Sequence, residues 1–131
     1  MTEAERSRIM RAVKSRDTGP EMIVRRLTHG MGYRFRLHRA DLPGTPDLAF
    51  PGRLAAIFVH GCFWHGHRCK RGARVPKTNT AYWTAKVARN RARDRKAVAR
   101  LKRAGWRALV VWECELKNER RLASKIRRFL G

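Results

Sequence analysis

The sequence predicts an α/β fold in which a mixed central sheet is flanked by helices. Leu54 to Val59 is continuously apolar, as expected of a central strand covered on both faces, whereas Tyr33, Phe35 and Leu37 alternate with Arg34 and Arg36 like a half-buried strand. Apolar residues then recur at helical spacing from Thr80 to Ala104. The resulting order α-α-β-β-β-α-β-α suits a sheet packed between helices.

Taken from the start, Thr2-Glu3-Ala4-Glu5 matches a capping box, and Ile9, Met10 and Val13 follow among Arg6, Arg8, Arg11 and Lys14. Residues 1–17 are therefore expected to form a basic helix or arm. Thr18-Gly19-Pro20-Glu21 repeats the start signal, with proline just inside the helix; Met22, Ile23, Leu27 and Met31 recur until Gly30 and Gly32 end it. After the alternating strand, Leu42-Pro43-Gly44-Thr45-Pro46 is turn-rich. Asp47 to Phe50 reads as a short strand broken by Pro51-Gly52, and a hairpin leads into the apolar strand. Arg68 to Asn79 is a basic loop. The long helix carries Trp83, Val87, Asn90, Asp94, Val98 and Leu101 on one stripe and nine Lys or Arg between Lys86 and Arg103, with Asp94 its only acid there. One face is apolar and the other suits phosphate. Trp106 to Trp112 is a fourth strand ending in Glu113-Cys114, and Asn118 can cap a last helix carrying Leu122, Ile126 and Phe129.

A chain of 131 residues is expected to form a single domain, 1–131. Its 32 Lys and Arg against 10 Asp and Glu leave a formal charge of +22, which calls for a polyanionic partner. Nucleic acid is favoured over a membrane. No apolar run approaches the roughly 20 residues of a span, and no segment pairs a lysine-rich face with a clean apolar one. The polar start, Met1-Thr2-Glu3-Ala4-Glu5-Arg6, has no hydrophobic secretory core, so a cytoplasmic protein is expected. In that compartment three cysteines, an odd number, read as metal ligands or free thiols rather than disulfides.

The chemistry concentrates in His60-Gly61-Cys62-Phe63-Trp64-His65-Gly66-His67-Arg68-Cys69, directly after the apolar strand. This stretch holds three of the five histidines and two of the three cysteines. Cys62, Cys69, Cys114 and one histidine would form a closed, four-ligand structural zinc site if the third and fourth strands are neighbours. Spacing alone leaves His65 and His67 both eligible. His60 and His65 bracket a turn, as either general bases or isolated histidines. Asp47 follows a proline at the start of a strand, as a hard-oxygen ligand for Mg2+ or as the residue of an Asx turn. Glu21 in a helical first turn has a capping reading. Phe63 and Trp64 are wedges for a duplex or members of a small core cluster, and Trp83 is a third wedge or the anchor of its helix.

Leu42-Pro43-Gly44-Thr45-Pro46-Asp47, Ile57-Phe58-Val59-His60-Gly61-Cys62-Phe63-Trp64-His65, Asp94-Arg95, Gly105-Trp106-Arg107 and Val111-Trp112-Glu113-Cys114 together closely resemble the very short patch repair endonucleases. The likeness runs from about Arg6 to Cys114. It implies a restriction-endonuclease-like fold and a Mg2+-dependent nick 5′ to the thymine of a T:G mispair, the lesion left when 5-methylcytosine deaminates. It further implies that Asp47 and the backbone carbonyl of Val59 bind Mg2+, with one or two ions at the phosphate. His65 would be the general base, His60 a helper at the phosphate, and Glu21 an acid that orients water. Cys62, His67, Cys69 and Cys114 fall on structural Zn2+ ligands, and Phe63, Trp64 and Trp83 on aromatics that enter the duplex. A monomer acting on double-stranded DNA, associated with the nucleoid when bound, and a functional link to a cytosine-5 DNA methyltransferase complete the expectation. Phe58 and His60 stand where restriction-like nucleases generally carry an acid and a lysine, a substitution the repair family shares. Val59 stands in place of a threonine, which suits a ligand that acts through its carbonyl. The alternatives are a same-fold nuclease for another lesion or site and a non-catalytic zinc-stabilised DNA-binding module.

Overall fold

The computed structural model describes residues 19–62, 65, 67, 69 and 78–131. The expected basic arm, Phe63, Trp64, Gly66, Arg68 and residues 70–77 lie outside the described residues. Helix α1 is Gly19–Gly30, and strands β1 (Arg36–Leu37), β2 (Leu48–Phe50) and β3 (Ala55–His60) follow. Helix α2 (Thr80–Arg103), strand β4 (Arg107–Trp112) and helix α3 (Glu119–Leu130) complete the order. The four strands form one mixed sheet in the order β1-β2-β3-β4, antiparallel at the first two junctions and parallel between β3 and β4. This is the mixed α/β architecture expected, and it is consistent with a restriction-endonuclease-like fold.

Parity along β3 sorts the core. Ala55 and Ile57 face the cluster of Val24, Leu48, Phe50, Val111, Leu122, Ile126 and Leu130, which joins the sheet to α1 and α3. Ala56 and Phe58 face Leu101, with Val98, Trp106, Ala108 and Val110 packed around them, which joins the sheet to α2. Both faces are covered, and an uninterrupted apolar run is the consequence.

Several element details differ from expectation. Leu54 is half exposed and adopts a left-handed backbone (φ 49°), so β3 begins at Ala55 and Leu54 closes the 3-10 turn Pro51–Arg53. Strand β1 is shorter than its alternation: Tyr33 and Phe35 pack against the core, but Leu37 is exposed. In α1 the buried stripe is Glu21, Val24 and Thr28, while Met22 is exposed. Strand β4 ends at Trp112, because Glu113–Lys117 coils into a 3-10 turn braced by Glu115 accepting from the Trp112 N–H. Asn118 caps α3 as expected, its Oδ1 accepting from the Arg121 N–H. The fully buried stripe is Leu122, Ile126 and Leu130, with Phe129 beside it.

The turn before β2 is keyed to α2 at Gly44. Its φ is +77°, and a Cβ there would lie 2.6 Å from Ala97 Cβ and 3.1 Å from Phe58 Cε1. Gly44→Ala should therefore destabilise the protein by about 2–4 kcal/mol, from backbone strain plus overpacking. The urea midpoint would fall with its slope unchanged; an unaltered midpoint would show that the contact relaxes freely.

Candidate active site

Potential ligands gather in three groups among the described residues, each with its ligand atoms within 4.8 Å of one another: Glu21, His38 and Asp47; His60, His65 and Asp94; and Cys62, His67, Cys69 and Cys114. Strand β3 joins all three. Just before β2, Asp47 accepts the Val59 N–H on Oδ2 at 2.6 Å. The next residue along, His60, ends the strand on the α2 side, and Cys62 begins the loop beyond.

Asp47 is a carboxylate pressed into an unfavourable place. Burial pushes its carboxyl up to about 7, although the Val59 N–H pulls the other way; the neighbouring Glu21 adds to the rise and His38 opposes it. Glu21 is itself buried and is held by Arg25 at 2.7 Å and by His38 Nε2 at 2.9 and 3.0 Å from its two oxygens. Glu21 lies on the buried stripe of α1, while Thr18, its partner in the capping reading, lies outside the described residues. Two adjacent carboxylates with a nitrogen donor beside them suit a divalent cation, which would relieve their repulsion.

In the second group, the His60 and His65 rings stack at 3.8 Å with 4° between their planes. His65 Nδ1 is 2.5 Å from Asp94 Oδ2, and His60 Nδ1 is 3.9 Å from the same oxygen. The α2 stripe explains the meeting, because Asp94 lies on the face that packs under the even-numbered residues of β3. A carboxylate only accepts, so Nδ1 of His65 carries a proton toward Asp94, and in the neutral ring Nε2 is the nitrogen left with the lone pair. Burial, with the His65 charge adding to it, pushes His60 down to about 4 despite Asp94, and its Nδ1 is buried without a hydrogen-bond partner. A neutral imidazole stacked on the Asp94-paired His65 is the result.

The third group depends on the parallel β3–β4 pairing, in which His60 lies opposite Trp112. That register brings Cys114 to Cys62: the Cys114 N–H donates to Cys62 Sγ at 3.3 Å, and Cys114 Sγ lies 3.5 Å from His67 Nδ1. His67, not His65, joins the cysteines, and it stacks on Trp112 at 4.2 Å. Burial and the adjoining Cys69 and Cys114 thiols push Cys62 up to about 12, despite the Cys114 N–H. In a tetrahedral zinc site with Zn–S of about 2.3 Å the sulfurs are roughly 3.8 Å apart, so three thiols and an imidazole at this spacing fit such an ion.

Trp83 lies in the first turn of α2, its ring 5.1 Å from that of the exposed Tyr82, with Lys86 Nζ 5.8 Å from the indole centroid. Sequence reasoning did not single out His38, the His65–Asp94 pair or the Trp112 stack. Asp94 did leave a signal, as the lone acid among nine cations on its helix.

The sequence model described as DNA mismatch endonuclease Vsr matches residues 1–71, which include the Asp47 turn, β3 and the Cys62–Cys69 loop. The chain belongs to the Vsr family. A Type II nicking enzyme, V.XorIIP of Xanthomonas oryzae pv. oryzae, is 50% identical over 130 residues, covering 99% of this chain and 95% of the relative. The DNA mismatch endonuclease Vsr of Escherichia coli is 43% identical over 123 residues, covering 94% and 78%. The Type II nicking enzyme V.NmeAIP of Neisseria meningitidis is 40% identical over 118 residues, covering 90% and 84%. Membership of the Vsr family makes this chain an endonuclease acting on DNA and sets aside the non-catalytic module. Among the described residues, no helix is long and apolar enough to cross a membrane.

Proposed function

We propose that this Vsr-family endonuclease nicks DNA 5′ to the thymine of T:G mispairs with the help of Mg2+, and that Zn2+ in the Cys62–His67–Cys69–Cys114 group braces its active loop. The observation that carries the reading is the convergence at the end of β3. One peptide N–H fixes Asp47, and the following residue begins the His60–His65–Asp94 group.

Asp47, the Val59 carbonyl and Glu21 would hold Mg2+, which supplies Lewis-acid stabilisation of charge developing on the phosphate. His65 Nε2 takes the proton from the attacking water, and Asp94 holds the ring in the tautomer that makes this possible. His60, kept neutral by burial, stacks on His65 and limits its rotation; it offers an imidazole to the phosphate. The cationic face of α2 grips the backbone, while Phe63, Trp64 and Trp83 enter the duplex beside the mispair. The whole chain acts as one domain, with residues 1–17 as a DNA-contacting arm, and works as a monomer on lesions left at sites of a cytosine-5 methyltransferase.

The test is nicking of otherwise identical duplexes with T:G, matched and other mispaired centres. A strong preference for T:G is expected, and equal cutting of all would sink the specificity. The relatives called Type II nicking enzymes justify including unmethylated matched sites. His65→Ala should slow single-turnover nicking on the order of 10²–10⁴-fold, and Asp94→Asn about 10²-fold by favouring the wrong tautomer. Full activity in either variant would remove that residue from the mechanism.

A further inference from the structure

The group that holds Asp47 contains a nitrogen donor that the reaction above does not use. We propose that His38 is a direct metal ligand, so that the Asp47 site is a two-carboxylate, one-imidazole centre with a preference for Mn2+ or Co2+ over Mg2+. The proposal rests on the reading of Asp47 and Glu21 as the catalytic cation site.

Three observations support it. His38 Nε2 is directed at both oxygens of Glu21, 3.0 and 2.9 Å away, and the donor atoms of His38, Glu21 and Asp47 all lie within 4.8 Å of one another. Small movements would bring them around one ion, whose opposite ligands are about 4 Å apart. Neutralising Glu21 does not require His38, because Arg25 already contacts that carboxylate at 2.7 Å. Finally, His38 has a left-handed backbone (φ 47°), an unusual conformation for a residue with a side chain, while its own N–H stays bonded to the Asp47 carbonyl. That geometry ends β1 and turns the ring inward, leaving the side chain 10% exposed.

The chemistry follows from donor type. Carboxylates suit Mg2+ and Mn2+ alike, whereas an imidazole nitrogen strengthens binding from Mn2+ towards the later transition metals and adds little for Mg2+. In the metal-free protein Nε2–H donates to Glu21. The neutral ring takes the ion on Nε2 once its proton sits on Nδ1, so binding exchanges one tautomer for the other with no net loss of a proton from the ring.

The test is electron spin-echo spectroscopy of the full-length, zinc-loaded protein with Mn2+ alone. Nitrogen modulation from a bound imidazole is expected in the wild type. It should vanish in His38→Gln and in Asp47→Asn and persist in His65→Gln, which addresses the other histidine group. Calorimetric titration of His38→Gln should show at least a tenfold loss of Mn2+ affinity with less change for Mg2+. Mn2+ bound in an Asp47-dependent way without nitrogen modulation would overturn the proposal and leave the catalytic cation site standing. Modulation that survives Asp47→Asn would place the nitrogen elsewhere and also overturn it. Absence of any Asp47-dependent Mn2+ binding would remove both readings.

Discussion

Asp47→Asn is expected to reduce single-turnover nicking on the order of 10³-fold or more while leaving the fold intact. The side chain keeps its size and an oxygen for the Val59 N–H, but it loses the charge proposed to hold the cation. Lewis-acid stabilisation is worth several kcal/mol, and each factor of ten in rate corresponds to about 1.4 kcal/mol. Nicking at the wild-type rate would exclude Asp47 from the metal site. The same residue sets a pH dependence. Its carboxyl is raised from 3.8 to about 7, so the metal-free fold favours the protonated form: the stability it lends is full below pH 3.8 and lost as pH rises through 7. A divalent ion must displace that proton. Affinity for Mn2+ should accordingly climb as pH approaches 7 and level off above it, a trend that titration calorimetry would measure and that a flat profile across pH 7 would refute.

The second large effect concerns stability. Cys114 lies just past β4 and its N–H donates to Cys62 Sγ, so as the proposed zinc ligand it would tie that strand to the loop after β3. Structural zinc contributes about 10–16 kcal/mol of binding free energy in small metal-dependent domains; here a core on both sheet faces shares the task, so the loss should be smaller. We expect Cys114→Ser to cost several kcal/mol and to lower Tm by more than about 10 °C, with zinc content falling below one ion per chain. Chelation of the wild type should reproduce the shift. An unchanged Tm together with zinc-free wild-type protein would refute the closed site.

Most of the architecture was legible because periodicity reports burial directly: the run Ala55 to Val59 is apolar on both faces, and both faces are covered. Boundaries were less legible where one backbone angle decides them. Leu54 looks like strand by composition, yet its left-handed conformation makes it a turn. The cysteine–histidine group was visible because three of its residues crowd into one loop; spacing leaves His65 and His67 both eligible, the family resemblance favours His67, and the fold sets His67 on the cysteines and His65 on Asp94. His38 meets Glu21 across 17 positions and Asp94 meets His65 across 29. Pairings of that range depend on which helix lies over which face of the sheet, and no local pattern encodes them.

The two-sided character of β3 bears on how such an enzyme can change. Val59 anchors the carboxylate that precedes β2, while His60 belongs to the group completed by α2. Side-chain substitutions on one face can be accommodated by α1 and α3, or on the other by α2, so the proposed cation-binding half and the proposed proton-accepting half can be retuned separately. An insertion of one residue in the strand has no such freedom: it would exchange the two faces at once, turning the histidine away from its acid and the anchoring amide away from Asp47. Substitutions can therefore diversify this centre, whereas a change in the length of β3 would dismantle it.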